Sequence, residues 1–324
     1  MMTRRCLGAL LACIGVTTTS PVAMAQDATW PNRQMQIIVP LPPGAAADTV
    51  ARLVGGKLQE RFKQTVVVLN RDGASGATGT REIAKAAPDG YTLGIATSTT
   101  LVTGPILNPK IGYDGQKDFT PVSMVGVSPY VLVTHPGVPV KTVGEFIALA
   151  KQKPDTLTYS SVGEASLARL AAELLANMSG IKLIQVPYKS STQAVVDVLG
   201  GRIDSQFGIL TTTHQYIRDG KLNALGVTTA KRVPEFPDLP TLSESGLPGY
   251  EASLWIGVIA PANVPAPIVS KLNAAMNEIL TEPEIRTTLF NQAIVVETRS
   301  PEGFASYVRE DFEKWRELAK KAGL

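Results

Sequence analysis

A layered α/β fold of two lobes is the architecture this sequence predicts, and three observations predict it. Short apolar runs alternate with amphipathic helical stretches nearly throughout the chain. Turns of small residues recur where the strands should end. Two further apolar runs, residues 130–134 and 254–260, stand outside the alternation and each leads into a proline, Pro136 and Pro261. They read as crossings between two halves. The first lobe would hold residues 26–128 and 254–324, and the second residues 129–253.

Residues 1–25 read as a secretory signal. Arg4 and Arg5 make a basic start, residues 7–16 an apolar stretch, and Ala23-Met24-Ala25 an A-x-A site before Gln26. The stretch is too short to anchor in a bilayer. Leu10-Leu11-Ala12-Cys13 loosely resembles a lipoprotein box, but the apolar run before Cys13 is very short. The chain is expected to be exported. Cys6 and Cys13, the only cysteines, would leave with the signal, so the mature chain would contain no disulfide, thiol nucleophile or thiolate ligand. The remaining 299 residues suffice for about two domains. Loss of Arg4 and Arg5 takes the formal charge from +3 to +1, which argues against a nucleic-acid partner. No later apolar stretch approaches the roughly 18 residues that a membrane span requires.

The elements follow in order. A strand over 36–40 leads through a Pro/Gly loop into a helix with Asp48 as its cap, whose buried face carries Val50, Leu53, Val54, Leu58 and Phe62. A strand over 65–69, a glycine turn over 73–79, a helix over 77–87 stopped by Pro88-Asp89-Gly90, and a strand over 91–96 come next. Thr142 and Glu145 form a capping box before Phe146 and Leu149. A strand over 157–161 precedes a helix lined by Leu167, Leu170, Ala171, Leu174, Leu175 and Met178. After a strand over 182–186, Ser190 and Gln193 make a second capping box before Val195, Val198 and Leu199. Strands over 205–209 and 223–228 complete the middle. Helices over 268–280 and from Ser300 close the chain, with Ser300 as cap, Pro301 in first position, and Phe304, Val308, Phe312, Trp315 and Leu318 inward. No internal repeat is evident.

The loop Leu41-Pro42-Pro43-Gly44-Ala45-Ala46-Ala47-Asp48 has small side chains and would leave helix-start amides bare for a small anion. Its plain alternative is a strand-to-helix connection with Asp48 as a structural cap. Similar turns recur at 73–79, at Thr97-Ser98-Thr99-Thr100 and at Ser160-Ser161-Val162-Gly163, and the carboxyl ends of strands are where open α/β sheets bind ligands. The glycines of 73–79 fall three apart, which does not match dinucleotide spacing, and no P-loop occurs, so no cofactor is expected. His135 and His214, the only histidines, have no second histidine near in sequence and no G-x-S-x-G elbow to serve. Neither a metal site nor a catalytic set is expected. Glu164 either complements a helix dipole or sits at the cleft mouth, where it would repel a second carboxylate or hold a ligand amine; Arg169 lies just over a turn beyond.

A series of motifs extends over nearly the whole mature chain. It runs Trp30-Pro31, Ile38-Val39-Pro40-Leu41-Pro42-Pro43-Gly44 with Asp48, Val67-Val68-Leu69-Asn70-Arg71, and Ala87-Pro88-Asp89-Gly90-Tyr91-Thr92-Leu93. It continues through Val186-Pro187-Tyr188-Lys189, Leu199-Gly200-Gly201-Arg202-Ile203-Asp204, Pro240-Thr241, Gly246-Leu247-Pro248-Gly249 and Ala260-Pro261. In this order the chain resembles the tripartite tricarboxylate transporter substrate-binding family, the Bug or TctC-like periplasmic solute receptors. The resemblance implies a type II periplasmic-binding-protein fold that closes on a small organic carboxylate. It places the ligand among Leu41, Pro43, Gly44, Ala45, Ala46, Ala47 and Asp48 of the first loop and Ser161, Gly163, Glu164, Ala165 and Ser166 of the mid-chain loop. Thr97, Ser98, Thr99, Phe207 and Gly208 would line the rest. It implies delivery to a two-subunit membrane permease, with presentation to a sensor kinase as the alternative; an exported hydrolase or isomerase is a remote one. A monomer is expected, taking mono- or dicarboxylates, aromatic or amino-bearing ones included. The chain departs from the family at Leu41, usually aromatic, at Ala45, usually glycine, at Glu164, usually small and polar, at Arg169, commonly histidine, and at Gly208, often an acid.

Overall fold

The computed structural model describes residues 30–162, 166–188, 191–234 and 236–321. The proposed signal, the Gly163-Glu164-Ala165 turn and Ser190 of the second capping box lie outside the described residues. In chain order the first elements are β1 (Met35–Val39), α1 (Ala46–Phe62), β2 (Val66–Asn70), α2 (Ala77–Ala84), β3 (Thr92–Thr97), α3 (Gly104–Leu107) and β4 (Phe119–Ser128). A second set follows: β5 (Tyr130–Thr134), α4 (Val143–Gln152), β6 (Thr158–Val162), α5 (Leu167–Ser179), β7 (Ile184–Tyr188), α6 (Ser191–Leu199), β8 (Ser205–Ile209), α7 (Leu210–Arg218) and β9 (Asn223–Val227). The chain ends through β10 (Leu254–Pro261), α8 (Ala266–Thr281), α9 (Pro283–Asn291), β11 (Val295–Val296) and α10 (Pro301–Lys321).

The strands form a six-stranded sheet, β11-β4-β10-β3-β1-β2, and a five-stranded one, β7-β6-β8-β5-β9. β1 runs parallel to β2 and β3, and β10 runs antiparallel between β3 and β4. The second sheet repeats this plan: β6 is parallel to β7 and β8, while β5 runs antiparallel between β8 and β9. Thus the orders β2-β1-β3-β10-β4 and β7-β6-β8-β5-β9 correspond strand for strand, although the sequences do not repeat. In each sheet the reversed strand is the one supplied from across a crossing.

The register fixes where the sheets meet. Ser128 at the end of β4 lies opposite Leu254, and Thr97 at the end of β3 opposite Ile256. After Pro129, Tyr130 opens β5 opposite Ile209, the last residue of β8. The first crossing therefore joins the carboxyl edges of both sheets. Leu210 N–H donates to the Pro129 carbonyl at 3.0 Å. The return segment is tied at the same place: Thr228 N–H donates to Tyr130 O at 2.9 Å, and Ala252 N–H to Thr228 O at 3.0 Å.

Beyond this point the return segment is bonded to a helix on each side. Tyr250 O–H donates to Ala171 O in α5 (2.8 Å). From α10, Tyr307 O–H donates to Glu251 Oε1 (2.7 Å) and Lys314 Nζ to Glu251 O (3.1 Å). Trp255 Nε1 then donates to the buried Asp311 carboxylate (2.9 Å), which also pairs with Lys314. One apolar core runs through both sheets, with Ile38, Ala96 and Met124 on one side, Leu132, Tyr159 and Phe207 on the other, and Trp255, Phe304 and Trp315 packed against them. Each such large side chain contributes about 1.5–3 kcal/mol by leaving water.

Local expectations fare unevenly. Ser300 Oγ accepts from Gly303 N–H at 3.1 Å, the cap expected before Pro301, and Thr142 Oγ1 accepts from Glu145 N–H at 3.2 Å. The run 130–134 enters the second sheet as β5 and the run 254–260 the first sheet as β10, so the crossings themselves are Pro129 and the segment before β10. The helix face assigned through Met178 stops short of it, since Met178 is 39% exposed near the end of α5. β7 begins two residues later than expected and runs through Pro187.

Candidate functional site

The loop after β1 is shaped by Asp48, though not as a cap. The residue that enters α1 in extended conformation is Ala45, and its side chain makes no capping bond. Asp48 lies three residues further on, 4% exposed, and reaches back: its Oδ2 accepts from Gly44 N–H at 3.0 Å. Arg52 Nε donates to the same oxygen at 3.0 Å, and Asn70 Nδ2 donates to Oδ1 at 2.9 Å. Asn70, at the end of β2, also donates to Leu41 O at 3.1 Å. Burial would raise the Asp48 carboxyl, but the bonds from Arg52, Gly44 and Asn70 outweigh it and hold the group below its usual value of 3.8. Gly44 has φ +83°, a conformation that favours glycine at this turn. The carboxylate thus clamps the loop from within.

Most amides from Gly44 to Asp48 are already used, and two are left among the described residues. Gly44 N–H is taken by Asp48, Ala45 N–H reaches Pro42 O at 3.3 Å, and Asp48 N–H bonds Ala45 O at 2.9 Å. Ala46 and Ala47, the first two residues of α1, donate to nothing among the described residues. The topologically equivalent helix of the second sheet is α5. Its cap is Ser166, whose Oγ accepts from Arg169 N–H at 3.3 Å, and Leu170 N–H bonds Ser166 O at 3.1 Å. That leaves Leu167 and Ala168, again the first two helical residues, with unused amides among the described residues. Each sheet therefore has, at its carboxyl edge, one helix start whose first two amides are unused among the described residues.

The remaining expected positions lie along the same edges with different freedoms. Thr97 and Thr100 bracket the end of β3: Thr97 N–H donates to Thr100 Oγ1 at 3.0 Å, and Thr100 N–H to Thr97 Oγ1 at 3.2 Å. Ser98 between them is buried and Thr99 exposed. Ser161 Oγ, at the end of β6, accepts from Gln185 Nε2 at 2.7 Å. Phe207 points into the shared core, and a Cβ on Gly208 would come within 2.6 Å of Thr213 Cγ2, so this position has no room for a side chain. Leu41 is half-buried while Pro43 and Gly44 are exposed. Gly163, Glu164 and Ala165 lie outside the described residues.

Sequence reasoning passed over the Leu167 and Ala168 amides, although Ser166 before a helical run was the available signal. It also passed over Tyr130, read only as part of a crossing. Burial pushes the Tyr130 phenol up to about 12, and its hydroxyl makes no hydrogen bond among the described residues. It is a neutral donor where the two sheets join. The histidines have structural tasks: His135 Nδ1 accepts from Gly137 N–H at 3.0 Å, and His214 packs edge-on against Phe236. Among the described residues no cluster of three or more His, Cys, Asp or Glu is placed to hold a metal, and no helix is long and apolar enough to cross a membrane.

Comparison with known proteins fits this geometry. The family model for the tripartite tricarboxylate transporter family receptor matches residues 50–324. The adipate complex of Rpa4515 from R. palustris is 34% identical, covering 91% of this chain and 98% of that one, with a TM-score of 0.70. MatC from Rhodopseudomonas palustris with bound malate is 31% identical over 89% of this chain and 99% of that one, with a TM-score of 0.67. A TctC solute-binding protein from Polaromonas, solved with no ligand, is 27% identical over 90% and 99%, yet has a TM-score of 0.84.

Proposed function

From the premise that the chain belongs to the tripartite tricarboxylate transporter receptor family, a family of periplasmic binding proteins, we propose that it is a solute receptor that closes on a small organic carboxylate. The observation that carries the reading is the pair of helix starts whose amides are unused among the described residues, Ala46 with Ala47 and Leu167 with Ala168, at the carboxyl edges joined by the crossing. Amides at a helix start point along the helix axis and carry its positive dipole end. A carboxylate held between two of them gains up to about 1 kcal/mol from each in exposed settings and about 2 kcal/mol when partly buried. Neutral donors such as Tyr130 orient the rest of the solute without adding charge. The solute class is a mono- or dicarboxylate, as the adipate and malate complexes of the two relatives support.

Closure about Pro129 and Thr228 would bring the two helix starts together, expel water and strengthen every bond to the ligand. The present conformation fits the open form. It superposes better on the ligand-free Polaromonas receptor than on the adipate complex, although the adipate receptor is the more similar in sequence. The N-terminal signal would deliver the chain to the periplasm, and the closed form would present solute to a two-subunit permease. No step of this cycle requires a reactive side chain. Calorimetry on protein refolded free of ligand tests the reading: a panel of C4–C8 mono- and dicarboxylates should give saturable heat for at least one member. No heat across the panel overturns the solute class.

A further inference from the structure

We propose a second binding site, for a small amphiphilic acid, on the second lobe away from the carboxyl edge. A cavity of about 580 Å³ lies between the last turn of α7, the start of β9 and the segment 236–239. That is within the size range of small-molecule pockets. Its apolar floor is Ile217, Ala224, Phe236 and Leu239, all packed on the outer core of the lobe. At its rim stand Lys141 and Arg218, neither with a carboxylate partner among the described residues, and Asp238 is the one acid among the described lining residues. The described lining is therefore net positive over an apolar bed. The occupant that complements it has a hydrocarbon or aromatic body and one anionic head.

The site is pre-formed. Arg232 Nη1 donates to Pro237 O at 2.9 Å while Arg232 Nε pairs with Glu244, and Phe236 N–H donates to Val233 O at 2.9 Å. The Arg218 guanidinium lies 5.7 Å from the Phe236 ring centroid, so the cation is already held over the floor. On the opposite wall, Lys221 N–H closes the helix end onto Tyr216 O at 2.8 Å, with Gly220 at φ +68° making the turn. β9 runs from this cavity to the crossing at Thr228, roughly 15 Å away at strand spacing. The site is thus separate from the carboxylate site and independent of that reading.

His214, packed on Phe236, reports occupancy. Octanoate is titrated into the full-length receptor, and the His214 ring signals are followed by NMR, assigned against a His135→Gln variant. The expected result is a saturable shift of His214 that weakens at least roughly tenfold in the Lys141→Ala/Arg218→Ala double variant and for the neutral analogue octanamide. Both substituted residues are exposed, so the melting temperature of the double variant should match the parent. No saturable shift overturns the proposal. So does a shift unchanged in the double variant, or equal affinity for octanamide, because the groove would then be merely apolar. Concentration-dependent dimerisation lost in Phe236→Ser would assign the groove to a second copy of the chain instead.

Discussion

Replacing Asp48 tests whether the first loop is held by its own buried carboxylate. Asp48→Ala removes the acceptor of three donors, Gly44 N–H, Arg52 and Asn70 Nδ2, at 2.9–3.0 Å. Charge-assisted bonds are each worth about 1.5–3 kcal/mol when the donor stays dry. Here Arg52 is 54% exposed and Gly44 is also accessible, so both rehydrate and about 1 kcal/mol apiece remains. The expected loss is about 2–3 kcal/mol, or about 5 °C in melting temperature for a chain of this length. Asp48→Asn should lose about half of this, since its amide oxygen still receives Gly44 while its NH₂ confronts Asn70 or Arg52. The pH dependence has a definite sign. The folded-state value of Asp48 lies below the ordinary 3.8, so its contribution is complete above that value and disappears as pH falls through the lowered one. Urea titrations of parent and Asp48→Ala in steps from about pH 7 to about pH 2 should therefore show a gap that is constant at first and narrows at the acid end. A gap that is absent at neutral pH, or that stays constant throughout, refutes the clamp.

Gly208→Ala should destabilise by about 1–3 kcal/mol through the clash with Thr213 Cγ2, and Gly208→Ala/Thr213→Ser, which removes that methyl but keeps the hydroxyl bonded to Ile209 O, should recover most of it in thermal melts. Gly56 lies mid-way along α1 with nothing within 4 Å of an added Cβ, so Gly56→Ala should raise stability by about 0.5–1 kcal/mol, and a lower melting temperature would contradict the exposure assigned to that face. Tyr250→Phe should cost about 1 kcal/mol at neutral pH by leaving the Ala171 bond unmade. Burial also raises the Tyr250 phenol well above its usual 10.0, so the unfolded chain ionises first in base and parent stability must fall above that pH. The phenylalanine variant should lose stability less steeply there, and parallel alkaline titrations would count against the burial of this hydroxyl.

The alternation of strands and helices was readable because most parallel strands here are short, apolar and bounded by small-residue turns, and the family motifs lie on those turns. What escaped was governed by neighbours. β4 went unseen because Pro121 and Gly126 look like punctuation. Pro121 is tolerated since β11 reaches only Gly126 and Val127, leaving β4 an edge strand at the proline. Gly126 is required because a Cβ there would meet Val295 O at 2.3 Å, a contact made by residues far away in sequence. Pro187 likewise shortened the reading of β7, which is the outermost strand of its sheet. The assignment of Asp48 as a cap followed a sound preference, but the helix begins at Ala46 because the carboxylate could bind Gly44, Arg52 and Asn70 together, and Asn70 belongs to another strand. Of the site, the loops were legible from small residues. The particular amides left unused were not, because that depends on which neighbouring carbonyls and side chains claim the others.

The exchange of reversed strands between the two sheets sets the order in which this chain can acquire its structure. β10 sits between β3 and β4, yet it arrives only at residue 254, after the whole of the other half has been made. Until then β3 and β4 face each other across a missing neighbour, and the N-terminal half cannot complete its sheet. Such remote pairing makes for slow assembly. A first sheet that waits for the last quarter of the chain leaves its earlier strands unable to lock early into a finished layer.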